Sequence, residues 1–75
     1  MTRYRNLEEH SGVTAYEIAP ESISVEFNLD AVYLYTYRSA GEKVVEKMKL
    51  LAIAGRGLST YISREVRENF ESKLK

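Results

Sequence analysis

The hydrophobic period of the chain changes once, at Arg38, and that change divides the fold into two parts. Before it, apolar residues recur at every second position. In ESISVEF, Glu21 to Phe27, the residues Ile23, Val25 and Phe27 share one face and Ser22, Ser24 and Glu26 the other, which predicts a half-buried strand. AVYLYTY, Ala31 to Tyr37, alternates in the same way. Between them, Asn28-Leu29-Asp30 predicts a turn, since Asn and Asp tolerate left-handed backbone and bond to it locally. Upstream, Gly12 to Ile18 has a weaker strand character and is closed by Ala19-Pro20-Glu21, because proline fixes its own φ and offers no ladder donor. Connections this short make neighbours antiparallel, so the expectation is a three-stranded β-meander.

From Arg38 onward the spacing is helical. Ser39-Ala40-Gly41-Glu42 reads as a capping box. Val44, Val45, Met48, Leu51 and Ala52 then form one stripe, with Glu42, Lys43, Glu46 and Lys49 opposite. Leu50 and Ile53 fall among the polar positions, so they are either covered by the second helix or exposed at a contact surface. Gly55 supplies a left-handed stop and Gly57 loosens the joint. A second helix is expected from about Leu58 to Phe70, with Leu58, Tyr61, Ile62, Val66 and Phe70 as its apolar stripe. The order β-β-β-α-α predicts an α+β fold, a three-stranded antiparallel meander followed by two amphipathic helices packed on one face. Residues 1–10 read as a polar leader in coil, pinned by Tyr4 or Leu7, and residues 11–75 as a single domain whose end, Glu71 to Lys75, frays.

The chain contains little chemistry. It has no cysteine and one histidine, His10, so neither a disulfide framework nor a structural zinc site is expected, and no cofactor is called for. His10 reads as a solvated side chain. The carboxylate pairs Glu8/Glu9 and Glu65/Glu68 lack a cleft-like setting, and no serine sits in a nucleophile-elbow pattern. AGRGL lacks the lysine of a phosphate loop and the strand before it, and reads as a hinge between helices; a weaker alternative is an anion site at Arg56 and the following helix terminus. No catalytic residues are assigned. No apolar run reaches the roughly 20 residues of a membrane span, and the first residues lack the apolar core of a signal peptide. The expectation is a cytoplasmic protein with no membrane or metal partner.

The formal net charge is zero, but it is unevenly placed. Up to Tyr37 two arginines face six carboxylates; from Arg38 on, nine basic residues face five acidic ones. The helical half can therefore present a positive face, with Arg38, Arg56, Arg64 and Arg67 as candidate phosphate contacts. Arg64 and Arg67 have Glu68 and Glu71 four residues on, so local pairing is the competing reading, worth about 0.3 kcal/mol each.

Alternation places Tyr33, Tyr35 and Tyr37 on one sheet face and Val32, Leu34 and Thr36 on the other. Neither face is clearly polar, so two placements satisfy the pattern. In one, Val32 and Leu34 lie under the helices and the tyrosines on the open face. In the other, the tyrosines are the helix-facing layer with hydroxyls at its margin. Only the first leaves the rings free to stack on bases.

These residues carry a resemblance to a known family. Tyr33-Leu34-Tyr35, repeated as Tyr35-Thr36-Tyr37, resembles the central Y-x-Y of the KTSC domain, a short bacterial module that occurs at the C-terminus of some lysyl-tRNA synthetases and as a free-standing protein. Ser11 and Ala15-Tyr16-Glu17 are similar to that family's serine and its GY[DE] stretch, and Ile23, Val25 and Phe27 to its L-x-V-x-F strand. Ala54 with the glycines resembles its small-residue hinge. Tyr61-Ile62, Val66-Arg67 and Phe70 resemble its aromatic pair and I-R-x-x-[YF] ending. Asp30 stands where the family usually has glycine, Arg38-Ser39 where it has V-P, and LAIAGRGLS is slightly longer than the common hinge. The resemblance implies a bacterial, non-enzymatic binding module associated with RNA. On that reading RNA contacts Arg38, Arg56, Arg64 and Arg67 while the sheet tyrosines stack. The alternatives are a protein-interaction module or small homo-oligomer using the tyrosine face or Ile53, and, more weakly, an enzyme with an anion pocket at Arg56.

Overall fold

The computed structural model describes residues 1–7 and 12–75. The readings of Glu8, Glu9, His10 and Ser11, and the leader boundary, lie outside the described residues. The chain is an α+β fold in which a five-stranded antiparallel sheet carries helical segments on one face. The elements are β1 (Thr2–Arg3), β2 (Val13–Ala19), β3 (Ser22–Phe27), β4 (Ala31–Thr36), α1 (Tyr37–Ala40), α2 (Glu42–Ala54), α3 (Leu58–Tyr61) and β5 (Ser72–Lys73). α3 runs on into a single π-helical turn, Ile62–Val66. The strands pair in chain order, β1-β2-β3-β4-β5.

The expected meander is the middle of this sheet. The two additions are its edges: Thr2–Arg3 pairs with Ala15 and Tyr16, and Ser72–Lys73 with Tyr33 and Leu34. Thr2–Arg3 is therefore strand and not coil, the residues that follow it are irregular but pinned at Tyr4 and Leu7 as expected, and the tail is paired and not frayed. Glu71, Leu74 and Lys75 donate backbone N–H groups to Leu34 and Val32. Tyr4, only 3% exposed, sits in the core, and its hydroxyl accepts from the Leu58 N–H at 3.3 Å.

The β3–β4 turn forms where expected. Asn28 and Leu29 both take positive φ, 54° and 57°. Thr14, at a shift of register between β2 and β3, braces the turn: its hydroxyl donates to Glu26 Oε1 at 2.8 Å and accepts from the Leu29 N–H at 3.0 Å.

Register decides which side of β4 is buried. Tyr35 faces Ile23 and Tyr33 faces Val25, both in the core. The strand tyrosines are thus the helix-facing layer, and Val32, Leu34 and Thr36 take the opposite face with Glu17, Ser22, Ser24 and Glu26. Tyr37 has left the strand and opens α1. Thr36 caps that helix: its hydroxyl accepts from the Ser39 N–H while Ser39 Oγ accepts from the Thr36 N–H. The capping box therefore lies one turn earlier than expected, because Gly41, at φ 99° and ψ 146°, interrupts the helix between Ser39 and Glu42.

On α2, Val45, Met48 and Ala52 are buried at i, i+3 and i+7, and Val44 and Leu51 pack at the margin. Lys49, expected opposite this stripe, is 9% exposed. Its alkyl stem lies along the core while Nζ reaches the Pro20 carbonyl at 3.0 Å and Glu46 at 2.8 Å, the way long cationic chains cover apolar surface. Gly55 ends α2 in the left-handed conformation, as expected. The second helical stretch is shorter than predicted. Arg67 donates to the Ile62 carbonyl in a π-type bond and turns to φ 52°, so Phe70 lies beyond the helix yet still packs on the core.

Candidate functional site

The C-terminal end of β3, the start of β4 and the chain after the π-helical turn enclose an open groove of about 500 Å³. Its walls are aromatic. The Tyr33 ring lies 4.6 Å from that of Phe70 and 5.8 Å from that of Phe27 in an edge-on arrangement, and Tyr35 meets Phe70 edge-on at 6.3 Å. Such tilted and T-shaped contacts suit the ring quadrupoles and hold the walls in place. Lys73 on β5 sets its ammonium 5.9 Å from the Tyr33 ring centroid. Arg67, Glu68 and Asn28 supply the polar rim.

Arg67 is positioned by strain. Its φ of 52° and ψ of −124° are a conformation that glycine adopts freely and arginine does not. The break also carries Glu68 and Glu71 away from the helical positions that would pair with Arg64 and Arg67. Glu71 instead accepts from the Thr36 hydroxyl at 2.9 Å. Among the described residues the ion pair is Lys49–Glu46, so neither Arg64 nor Arg67 is neutralised by a carboxylate.

Tyr35 is 2% exposed and lines the same groove. Its hydroxyl has no hydrogen-bond partner among the described residues. Every sealed side-chain polar atom among those residues does have one, so this hydroxyl keeps some contact with solvent on a residue that lines the groove. Burial, with a smaller contribution from Tyr33, pushes its pKa up to about 12, which keeps it a proton donor at neutral pH.

The other candidate residues are not gathered here. Tyr37 and Arg38 line a separate depression of about 600 Å³ with Glu21, Ser22, Thr36 and Glu71, whose two carboxylates oppose an anionic ligand. Tyr37 donates to Glu46, and its ammonium neighbour Lys49 lies 5.6 Å from its ring centroid. Arg56 is exposed in the α2–α3 joint between Gly55 and Gly57, both at positive φ, in keeping with a hinge. At the helix terminus beside it, the Leu58 N–H is already taken by the Tyr4 hydroxyl. Of the seven candidates, the groove brings together Tyr33, Tyr35 and Arg67. It also recruits Phe27, from the end of β3, and Phe70, which returns to the sheet beyond the turn at Arg67; the sequence pattern assigns both to core stripes.

Among the described residues no group of His, Cys, Asp and Glu side chains could hold a metal, and no helix is long and apolar enough to cross a membrane. The chain matches no family model, no curated protein and no solved structure.

Proposed function

We propose that this chain is a small, non-enzymatic RNA-binding module of the KTSC domain family, working in the bacterial cytoplasm. One observation carries the binding reading: an aromatic-walled groove opens beside Arg67, a cation with no carboxylate partner among the described residues. Rings and a guanidinium brought together at one groove are the combination that single-stranded nucleic acid uses, bases on aromatic surface and phosphate on the cation. Arg64 is exposed on the turn that leads to Arg67 and adds a second positive charge to that segment. The platform differs from the one the tyrosine alternation suggests. It is the end of the helix-facing layer and not the open sheet face, where Glu17 and Glu26 would repel phosphate. The groove holds no nucleophile paired with a base, which favours binding over catalysis.

The test is titration of a labelled single-stranded RNA at two salt concentrations. Binding should weaken with salt at a log–log slope of about −0.7 per phosphate contacted. No binding, or binding indifferent to salt, ends this reading.

A second reading has its own observation. Leu50 and Ile53, one turn apart on the outer face of α2, are 66% and 54% exposed, so the second helix does not cover them. This favours a protein contact or self-association there. A stable interface would bury about 1,200 Å² or more in total and would make the mass depend on dilution.

A further inference from the structure

Resting on the RNA reading above, we infer that the groove seats one unpaired base of the strand, with the Tyr35 hydroxyl donating to the base edge and Arg67 holding the adjoining phosphate. Three features of the groove point the same way. Its volume of about 500 Å³ lies within the range of roughly 300–1,000 Å³ typical of small-ligand sites, so a single base fits within it. Its lining includes the partly buried rings of Phe27, Tyr33 and Phe70, which pack against one another and bring aromatic surface to the groove; a base seated there meets their exposed edges rather than an open tyrosine row.

The third feature is the Tyr35 hydroxyl, a donor without a protein partner among the described residues, on a side chain that is 2% exposed and lines the groove. A phenol this buried normally finds a protein partner. Here the acceptor must come from outside, and every nucleobase offers a carbonyl oxygen or a ring nitrogen on its edge. A ligand without an acceptor would leave that hydroxyl stranded, so the position discriminates as well as binds. The phenol keeps its proton, and hence its donor role, across the neutral range, as tyrosine ordinarily does. At the rim, Arg67 is held in a strained backbone conformation beside Glu68. Strain of this kind persists where surrounding structure holds it, and ligand sites are a common place for it. The carboxylate of Glu68 keeps phosphate out of the groove itself and leaves Arg67 as its seat.

The experiment uses the full chain, wild type and three variants, with two probes: a short labelled single-stranded RNA, and an oligomer of equal length and charge in which every base is replaced by hydrogen. Tyr35→Phe keeps the ring and the packing. Arg67→Gly removes the guanidinium at a position that favours glycine. Tyr37→Phe is the control, a tyrosine outside the groove. On this proposal the abasic oligomer binds wild type at least about 10-fold more weakly than the intact one, as the loss of a seated base requires. Tyr35→Phe weakens the intact RNA by about 3- to 10-fold, the loss of one hydrogen bond, without changing the abasic affinity. Arg67→Gly weakens both probes and lowers the salt slope by about 0.7, while Tyr37→Phe binds as wild type. Equal binding of the two probes by wild type, or no effect of Tyr35→Phe on the intact RNA, overturns the seated base while the RNA reading stands on its salt dependence. No binding of either probe overturns both.

Discussion

Tyr37 Oη lies 2.5 Å from Glu46 Oε2 and donates to it, tying the first residue of α1 to the second turn of α2. Glu46 also accepts from Lys49, and Lys49 reaches the Pro20 carbonyl at the β2–β3 turn. The hydrogen bond to Glu46 raises the Tyr37 pKa from 10.0 to about 12, with burial and the carboxylates of Glu46, Glu42 and Glu21 adding to the shift. Because the folded value is the higher one, the stabilisation is complete below pH 10 and is lost as the pH rises from 10 through about 12. Glu46 is shifted the other way, downward, by its bonds to Lys49 and Tyr37, so its contribution is present at neutral pH and disappears in acid below about 4.5. Urea midpoints at pH 7 and pH 11 check the alkaline half: wild type should lose more stability between them than Tyr37→Phe.

Leu29 occupies a left-handed conformation at φ 57° and is 69% exposed. That backbone costs a non-glycine residue about 1–2 kcal/mol, and glycine returns part of the gain through the entropy of the unfolded chain, about 0.5–1 kcal/mol. Leu29→Gly should therefore stabilise the domain by up to about 1 kcal/mol, seen as a higher urea midpoint at unchanged slope. Leu29→Ala, which keeps the Cβ, should stay within about 0.5 kcal/mol of wild type.

Gly55 has both conformational and steric reasons to be glycine. Its φ is 76°, and a Cβ built there would stand 2.8 Å from Arg5 Cβ. The adjacent leader is fastened to this point, with the Leu7 N–H donating to the Gly55 carbonyl at 2.7 Å and Arg5 to the Ile53 carbonyl. Gly55→Ala should cost about 1–2 kcal/mol or more and should loosen residues 1–7 as well. Hydrogen exchange at the Tyr4 and Leu7 amides, compared with a thermal melt, measures both effects.

Tyr4 tests whether the leader belongs to the core. Truncating a buried aromatic ring to alanine costs about 3–5 kcal/mol, comparable to the whole stability expected of a domain this small. Tyr4→Ala should leave the chain largely unfolded at 25 °C. Tyr4→Phe loses only the bond to the Leu58 N–H and should remain folded, destabilised by about 1 kcal/mol. Circular dichroism separates the two.

The central architecture was legible wherever one face of an element is polar. Ser22, Ser24 and Glu26 oriented β3 unambiguously, and Val45, Met48 and Ala52 oriented α2. β4 could not be oriented in the same way, because Val32 and Leu34 compete with the tyrosines for the core. The decision comes from Ile23 and Val25 across the ladder and from Phe70, which returns from beyond the helices. β1 and β5 are two residues each, too short for any period to register. The cap was ambiguous because Thr36 and Ser39 both fit the pattern, and only the conformation of Gly41 selects the earlier one. Lys49 misled because its charge is read before its four-carbon stem. The groove was least visible of all: it depends on Arg67 adopting a backbone that its residue type disfavours, and no local signal announces that.

The two shortest strands close the sheet at both sides. Without Ser72–Lys73, the run Ala31–Thr36 would present a bare row of donors and acceptors on a β-branched and aromatic segment, the kind that recruits like segments from neighbouring molecules. Those two residues, one of them a lysine, cover part of that edge, and edge cover and edge lysines are the devices that discourage such recruitment. The smallest piece of ordered chain thus bears on how concentrated a solution this protein survives, a property unrelated to how tightly its core is packed.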